Sequence, residues 1–263
     1  MPVSTATGAF TLADVSVAFD GDAVLRHVDL QIECGEFIAI LGENGSGKST
    51  LIRAMLGLVP VSSGRVLAHG IPIDSLRDWH RIAYVPQRLL SAGAVPVSVE
   101  EVVAAACFTP DRRLRRDGSS RRARVTSALA SVGLDHRRRD RVDALSGGQQ
   151  RRVLIAAALA KGADVFILDE PTAGVDAETQ ARIAETFRSL RDSGSTVILV
   201  THELGEFADL SSRILVLDRA GRQSIRYDGP PPVPEGLRDH VWHHSEDVVA
   251  RPASMTPLLE PER

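Results

Sequence analysis

Three observations predict an α/β protein with a mainly parallel sheet, an N-terminal antiparallel β subdomain and an inserted α-helical subdomain. Short continuous apolar runs recur at Ile38 to Leu41, Ile82 to Val85, Val165 to Leu168, Val197 to Val200 and Ile214 to Leu217. Such runs are the pattern of parallel strands covered on both faces. Helical stretches separate most of them, so right-handed crossovers should join the strands. A glycine-rich stretch from Gly42 to Thr50 follows the first run and opens a helical segment. With 263 residues and 43% hydrophobic content the chain can bury a full core.

Ahead of the first run, Phe10, Leu12, Val15 and Val17, then Val28, Leu30 and Ile32, nearly alternate as half-buried antiparallel strands do. Phe19 stands between them, before a Gly21-Asp22 turn. Next comes Gly42-Glu43-Asn44-Gly45-Ser46-Gly47-Lys48-Ser49-Thr50, which fits G-x-x-x-x-G-K-S/T between a strand and the helical segment Leu51 to Leu56. Glycines there let successive backbone N–H groups point at an anion, and the helix N-terminus adds partial positive charge. Lys48 supplies a full charge for the β- and γ-phosphates, and Ser49 a hydroxyl for Mg²⁺. The core is therefore expected to be that of a P-loop NTPase, and the ligand a nucleoside triphosphate.

Residues 88 to 145 break the strand rhythm; Val99 to Phe108 and Arg121 to Val132 read as helices of the inserted subdomain. Between Asp111 and Arg141 eleven Arg stand against four Asp, the composition of a solvated helix face or of a docking face for an acidic loop or phospholipid headgroups. The ATPase unit should span residues 1–228. Residues 229–263 are proline-rich, a composition that should not pack a core, and are expected to form a tail. His240, His243 and His244 lie in that tail beside Asp239, Glu246 and Asp247. His240 and His244 would share a helix face, a spacing that suits a metal but is more often plain surface chemistry.

Two further motifs narrow the chemistry. The run Val165 to Leu168 leads directly into Asp169 and Glu170. An acid at the carboxyl end of a buried strand is placed to face the phosphate loop and organise Mg²⁺. Glu170, one residue on, is suited to polarise an attacking water. Leu145-Ser146-Gly147-Gly148-Gln149 precedes the apolar helix Val153 to Ala160. Ser146 and Gln149 have capping-box spacing, but the two glycines sit where a helix pays most for them. Bare backbone at a helix tip suggests a second approach of phosphate, from a nucleotide held by another subunit.

Composition excludes other classes. A net charge of −3 argues against a general nucleic-acid binder. Of 31 basic side chains only Lys48 and Lys161 are lysines, which suggests lysine is kept where a compact point charge is wanted. Cys34 and Cys107 have no metal spacing and read as reduced, structural thiols. No apolar run approaches the ~18 residues needed to cross a bilayer, and the N-terminus does not read as a signal peptide. Any membrane role should come through a partner.

Taken together, the motifs resemble the nucleotide-binding subunit of an ABC transporter, over about residues 10 to 228. Leu145 to Gln149 is similar to the LSGGQ signature, and Gln87 in Val85-Pro86-Gln87 to the Q-loop glutamine that links Mg²⁺ and water to the membrane subunit. Asp176 in Ala173-Gly174-Val175-Asp176 resembles the D-loop aspartate, and His202 in Val200-Thr201-His202-Glu203 the switch histidine at the γ-phosphate. Phe19 occupies the adenine-stacking position, where the family more often has tyrosine; a buried core aromatic is the alternative. The resemblance implies a head-to-tail homodimer with two ATP at the interface. Lys48, Ser49, Gln87, Asp169, Glu170 and His202 of one subunit would face Ser146, Gly147 and Gly148 of the other. It also implies a separate integral-membrane permease, an indirect link to an extracytoplasmic substrate-binding protein, and residence on the cytoplasmic face of a bacterial plasma membrane. Ala173 to Asp176, Leu204-Gly205-Glu206 and Gly229-Pro230-Pro231 lean towards importers of zinc, manganese or iron. Siderophore or amino-acid importers, exporters and non-transport regulators are the alternatives.

Overall fold

The computed structural model describes residues 8–87, 96–107, 118–202, 204–218 and 223–238. Strands β1 (Phe10–Phe19) and β2 (Asp22–Ile32) pair antiparallel, and β3 (Phe37–Leu41) leads through the glycine-rich loop into helix α1 (Lys48–Met55). Then come β4 (Ser63–Ala68), β5 (Ile71–Pro72) and β6 (Ile82–Val85), followed by helices α2 (Val99–Ala106), α3 (Gly118–Ser131) and α4 (Gly147–Lys161). The chain continues through β7 (Val165–Asp169), α5 (Ala177–Asp192), β8 (Thr196–Val200), β9 (Arg213–Leu217), β10 (Ile225–Gly229) and the short α6 (Glu235–Arg238).

Two sheets result. The larger has the order β10-β9-β3-β8-β7-β6, all parallel except β10 at the edge. Side chains alternate across it. Ile38, Ile40, Val165, Ile167, Ile198 and Val200 join one apolar cluster with α1 and the small sheet. Phe166, Leu168, Val197 and Leu199 join the other, with residues of α2, α3, α4 and α5. Burial on both faces is why these segments read as continuous apolar runs. The helices between β6 and β7 therefore share one core with the sheet: Val99, Val103, Val125 and Leu129 lie in the same cluster as Phe166 and Phe187.

The small antiparallel sheet has four strands, β2-β1-β4-β5, where alternation had revealed two. In β4 only Val66 and Ala68 are buried, and β5 is two exposed residues, so neither carries the full pattern. Likewise β10 alternates charged and half-buried residues, as an edge strand does. The stretch after Gly229 departs from its composition. Val233 is buried against Leu41, Ile214 and Val216, with Leu237 of α6 packed beside it. One anchor seated on a ready-made apolar patch needs no core of its own, so proline content was a poor guide here. His240, His243 and His244 lie outside the described residues, as does Phe108.

The parallel order decides where function gathers. The carboxyl ends of β3, β8, β7 and β6 lie side by side, so the glycine loop, Thr201-His202, Asp169-Glu170 and Gln87 emerge along one edge. Both lysines make the same kind of contact. Lys48 Nζ donates to Gly42 O and Glu43 O, and Lys161 Nζ, at the end of α4, donates to Trp79 O and Ile82 O at the start of β6. A compact ammonium with several donors suits two converging carbonyls better than a planar guanidinium. The arginines of the 111–141 segment that are described are partly paired: Arg137 with Asp140, Arg138 with Glu100 and Arg141 with Asp143. Cys107 is buried, its thiol donating to Ala160 O at 3.2 Å, whereas Cys34 is exposed and so is not a core thiol. No described helix is long and apolar enough to cross a membrane, and no group of three or more metal-binding side chains occurs among the described residues.

Candidate functional site

The glycine loop wraps back on itself at the end of β3. Ser46 N donates to Glu43 O at 3.1 Å, and Gly47 caps α1 with φ 99°, a left-handed conformation that glycine adopts at little cost. No side chain caps that helix end. Ser46 Oγ is buried and has no hydrogen-bond partner, while Glu43, Asn44 and Gly45 are exposed at the rim and Ser49 and Thr50 are half-buried. Uncapped amides, an orphaned hydroxyl and a cation among carbonyls form an unfinished anion site, and a triphosphate fits it. Burial pushes the Lys48 ammonium below its ordinary pKa, against the opposing pull of Glu170, Asp169 and Glu43. A bound triphosphate would favour the charged form.

Asp169 ends β7 and is 5% exposed. Burial, then the neighbouring Glu170 carboxylate, raise its pKa, while Lys48, Arg53 and a hydrogen bond with Ser49 lower it. A carboxylate hydrogen-bonded to a hydroxyl is a hard-oxygen pair of the kind Mg²⁺ takes alongside phosphate oxygens. Glu170 sits one residue on with φ 49°, its N–H bonded to Val200 O at 2.8 Å. A non-glycine residue held left-handed costs about 1–3 kcal/mol and is common where a side chain must be aimed. Here the carboxylate is aimed at two others: Gln87 Nε2 donates to Glu170 Oε2 at 2.5 Å, and His202 Nδ1 lies 3.5 Å from Oε1. Gln87, Glu170 and His202, far apart in sequence, are thus in mutual reach.

The tip of α4 is built differently. The capping box expected of Ser146 and Gln149 is present: Gln149 N donates to Ser146 Oγ, and Ser146 N to Gln149 Oε1 at 3.0 Å. The two glycines have separate reasons. A Cβ on Gly147 would meet nothing within 4 Å, whereas one on Gly148 would lie 2.6 Å from Gly174 O. Only Gly147 is bare toward the outside; Gly148 is required by packing within its own chain. That corrects the expectation that both glycines serve an approaching phosphate. Gly147, Gly148, Gln150, Arg151, Leu154, Ala173, Gly174 and Gln87 line a cleft of about 380 Å³. Asp176 caps α5, accepting from Thr179 N and Thr179 Oγ1, both at 2.9 Å; the Thr179 backbone amide chiefly holds its carboxyl below the usual range. Phe19 is 43% exposed at the end of β1, which removes the buried-core alternative and leaves a free ring face.

Sequence reading missed the residues that brace the loops. Gln180 Nε2 donates to Thr172 O and Val175 O, and Arg151 bonds Ala173 O and Gln87 O. Their partners are backbone carbonyls, which leave no residue-type signal; only their place just after the motifs could have flagged them.

The family model described as ABC transporter matches residues 25–173. The chain belongs to the ABC transporter family. This ABC ATPase is 37% identical over 216 residues to the zinc transport system ATP-binding protein TroB of Treponema pallidum, covering 82% of this chain and 80% of the relative. It is 39% identical over 206 residues to the manganese transport system ATP-binding protein MntB of Bacillus subtilis, covering 78% and 82%. A solved dimeric ATP-binding cassette in a post-hydrolysis state with ADP and Pi superposes with a TM-score of 0.71 at 27% identity, over 84% of this chain and 98% of that one. The chain is thus an ATP-binding and ATP-hydrolysing component of the ABC class, with the P-loop NTPase fold.

Proposed function

We propose that this ABC ATPase powers import of a divalent metal, zinc or manganese, through a separate membrane permease. It would work as a homodimer on the cytoplasmic face of the membrane, with an extracytoplasmic binding protein delivering the cargo. The names of TroB and MntB support the metal. The observation that carries the mechanism is the meeting of Gln87 and His202 on the Glu170 carboxylate beside Lys48 and Asp169, while the open Gly147 heads a different helix.

In this reading Gly42 to Thr50 cradle the triphosphate, Phe19 stacks on the adenine and Lys48 balances developing phosphoryl charge. Ser49, Asp169 and Gln87 would hold Mg²⁺, which when bound offsets charge on the β- and γ-phosphates. Glu170 orients water for in-line attack on the γ-phosphorus, and His202 reports the γ-phosphate. Ser146, Gly147, Gly148 and Gln149 of the partner subunit close the other side, with Asp176 at the subunit seam. One triphosphate then bridges two copies, and its cleavage releases them.

Glu170→Gln keeps the shape and removes the charge. It should retain ATP binding, lose at least about 100-fold in turnover and accumulate as an ATP-bound dimer in size-exclusion chromatography. Unchanged hydrolysis would remove Glu170 from this role. Cellular zinc, manganese and iron in a deletion strain identify the cargo; a deficit in none of them would return the siderophore, amino-acid and export alternatives.

A further inference from the structure

We propose that Arg151, in the second turn of α4, is a positioning residue for ATP hydrolysis that fixes the Glu170 carboxylate from two sides. The proposal rests on the role given to Glu170 above.

The contacts form a closed ring. Arg151 Nη2 donates to Gln87 O at 2.6 Å, and Arg151 Nη1 donates to Ala173 O. Gln87 Nε2 donates to Glu170 Oε2 at 2.5 Å, and Ala173 N reaches back to Glu170 O at 3.5 Å. Glu170 therefore stands between two segments, one after β6 and one after β7, and a single guanidinium holds both. Neither segment has a regular ladder at that point: Gln87 lies beyond the end of β6, and Ala173 lies in the turn before α5. Without the fork, each would be set only by its own loop.

Chemistry favours arginine for this task. Its planar group presents N–H donors in fixed directions, so two carbonyls from different segments are locked at one separation. A lysine at position 151 would reach one carbonyl or both loosely, as a point charge on a flexible stem. Arg151 also touches none of the phosphate-loop residues by any hydrogen bond found among the described residues, so its loss should spare nucleotide binding. A displacement of about 1 Å in a group that orients the attacking water is enough to cost on the order of 100-fold in rate.

The test uses the full-length chain with steady-state ATP hydrolysis, a fluorescent ATP analogue for affinity, and a thermal melt. Arg151→Met should lower kcat roughly tenfold or more, with KM for ATP and analogue affinity held within about twofold. Arg151→Lys should fall between that variant and the parent, and it carries the test if the methionine variant does not fold. In a Gln87→Ala background, adding Arg151→Met should lower kcat much less than in the parent, because one arm of the ring is already broken. Wild-type kcat in both Arg151 variants overturns the proposal. So does a parallel fall in kcat, ATP affinity and melting temperature whose effect multiplies fully with Gln87→Ala, since that is the behaviour of a mere structural tie. Glu170→Gln is run alongside. If it hydrolyses ATP at the parent rate, the role of Glu170 fails and the positioning proposal with it, a result distinct from an inert Glu170→Gln beside an unaffected Arg151→Met.

Discussion

The phosphate loop and the tip of α4 are both glycine-rich helix starts, yet they are built on opposite plans. At α1 the cap is a bare Gly47 with no side-chain bond, and Ser46 Oγ is buried without a partner. At α4 Ser146 and Gln149 cap each other, and Gly148 nests against Gly174 O. One end is incomplete until an anion arrives; the other is finished within its own chain and offers only Gly147 outward. Glycine content alone does not reveal a ligand. What distinguishes the two ends is whether the backbone donors and nearby hydroxyls already have partners.

The contrast can be broken most sharply at Lys48. Lys48→Ala removes the charge that completes the loop, and ATP hydrolysis should fall about 100- to 1000-fold. A loss below tenfold in a steady-state assay would mean that the loop is as self-sufficient as the α4 tip.

The two glycines of α4 sharpen it next. Gly148→Ala drives a Cβ into Gly174 O and should cost roughly 1–3 kcal/mol in a denaturant melt of the isolated chain. Gly147→Ala meets nothing, and should gain up to about 1 kcal/mol from helix propensity while weakening the ATP-bound dimer. Equal stability of the two variants would erase the distinction drawn between them.

Smallest of all should be the effect of ending the chain after Gly236. Val233 keeps its seat against Leu41, Ile214 and Val216, so ATPase activity should stay within about twofold and only the Leu237 contact is lost. Failure to fold would show that the segment beyond contributes more than one packed leucine.

Much of this was legible because it is local. The parallel strands announce themselves as apolar runs, since burial on both faces leaves no alternation. The capping box of Ser146 and Gln149 was readable three residues apart. Strands β4, β5 and β10 were not, because half-exposed edge segments tolerate Arg65, Arg226 and Asp228 in place of apolar residues. The packing of Val233 was hidden for a related reason: the patch that receives it comes from β3 and β9, far earlier in the chain.

By itself, then, the sequence determined the strand and helix types, the phosphate loop, the acidic pair after β7 and the family, since each depends on the preferences of a few consecutive residues. Tertiary structure alone decided that Gln87 and Glu170, 83 residues apart, share a hydrogen bond, and that Arg151 spans both segments. It also decided which glycine faces outward. Those outcomes depend on the order in which β6, β7, β8 and β3 are laid side by side, and strand order follows from the packing of the whole chain rather than from any one stretch of it.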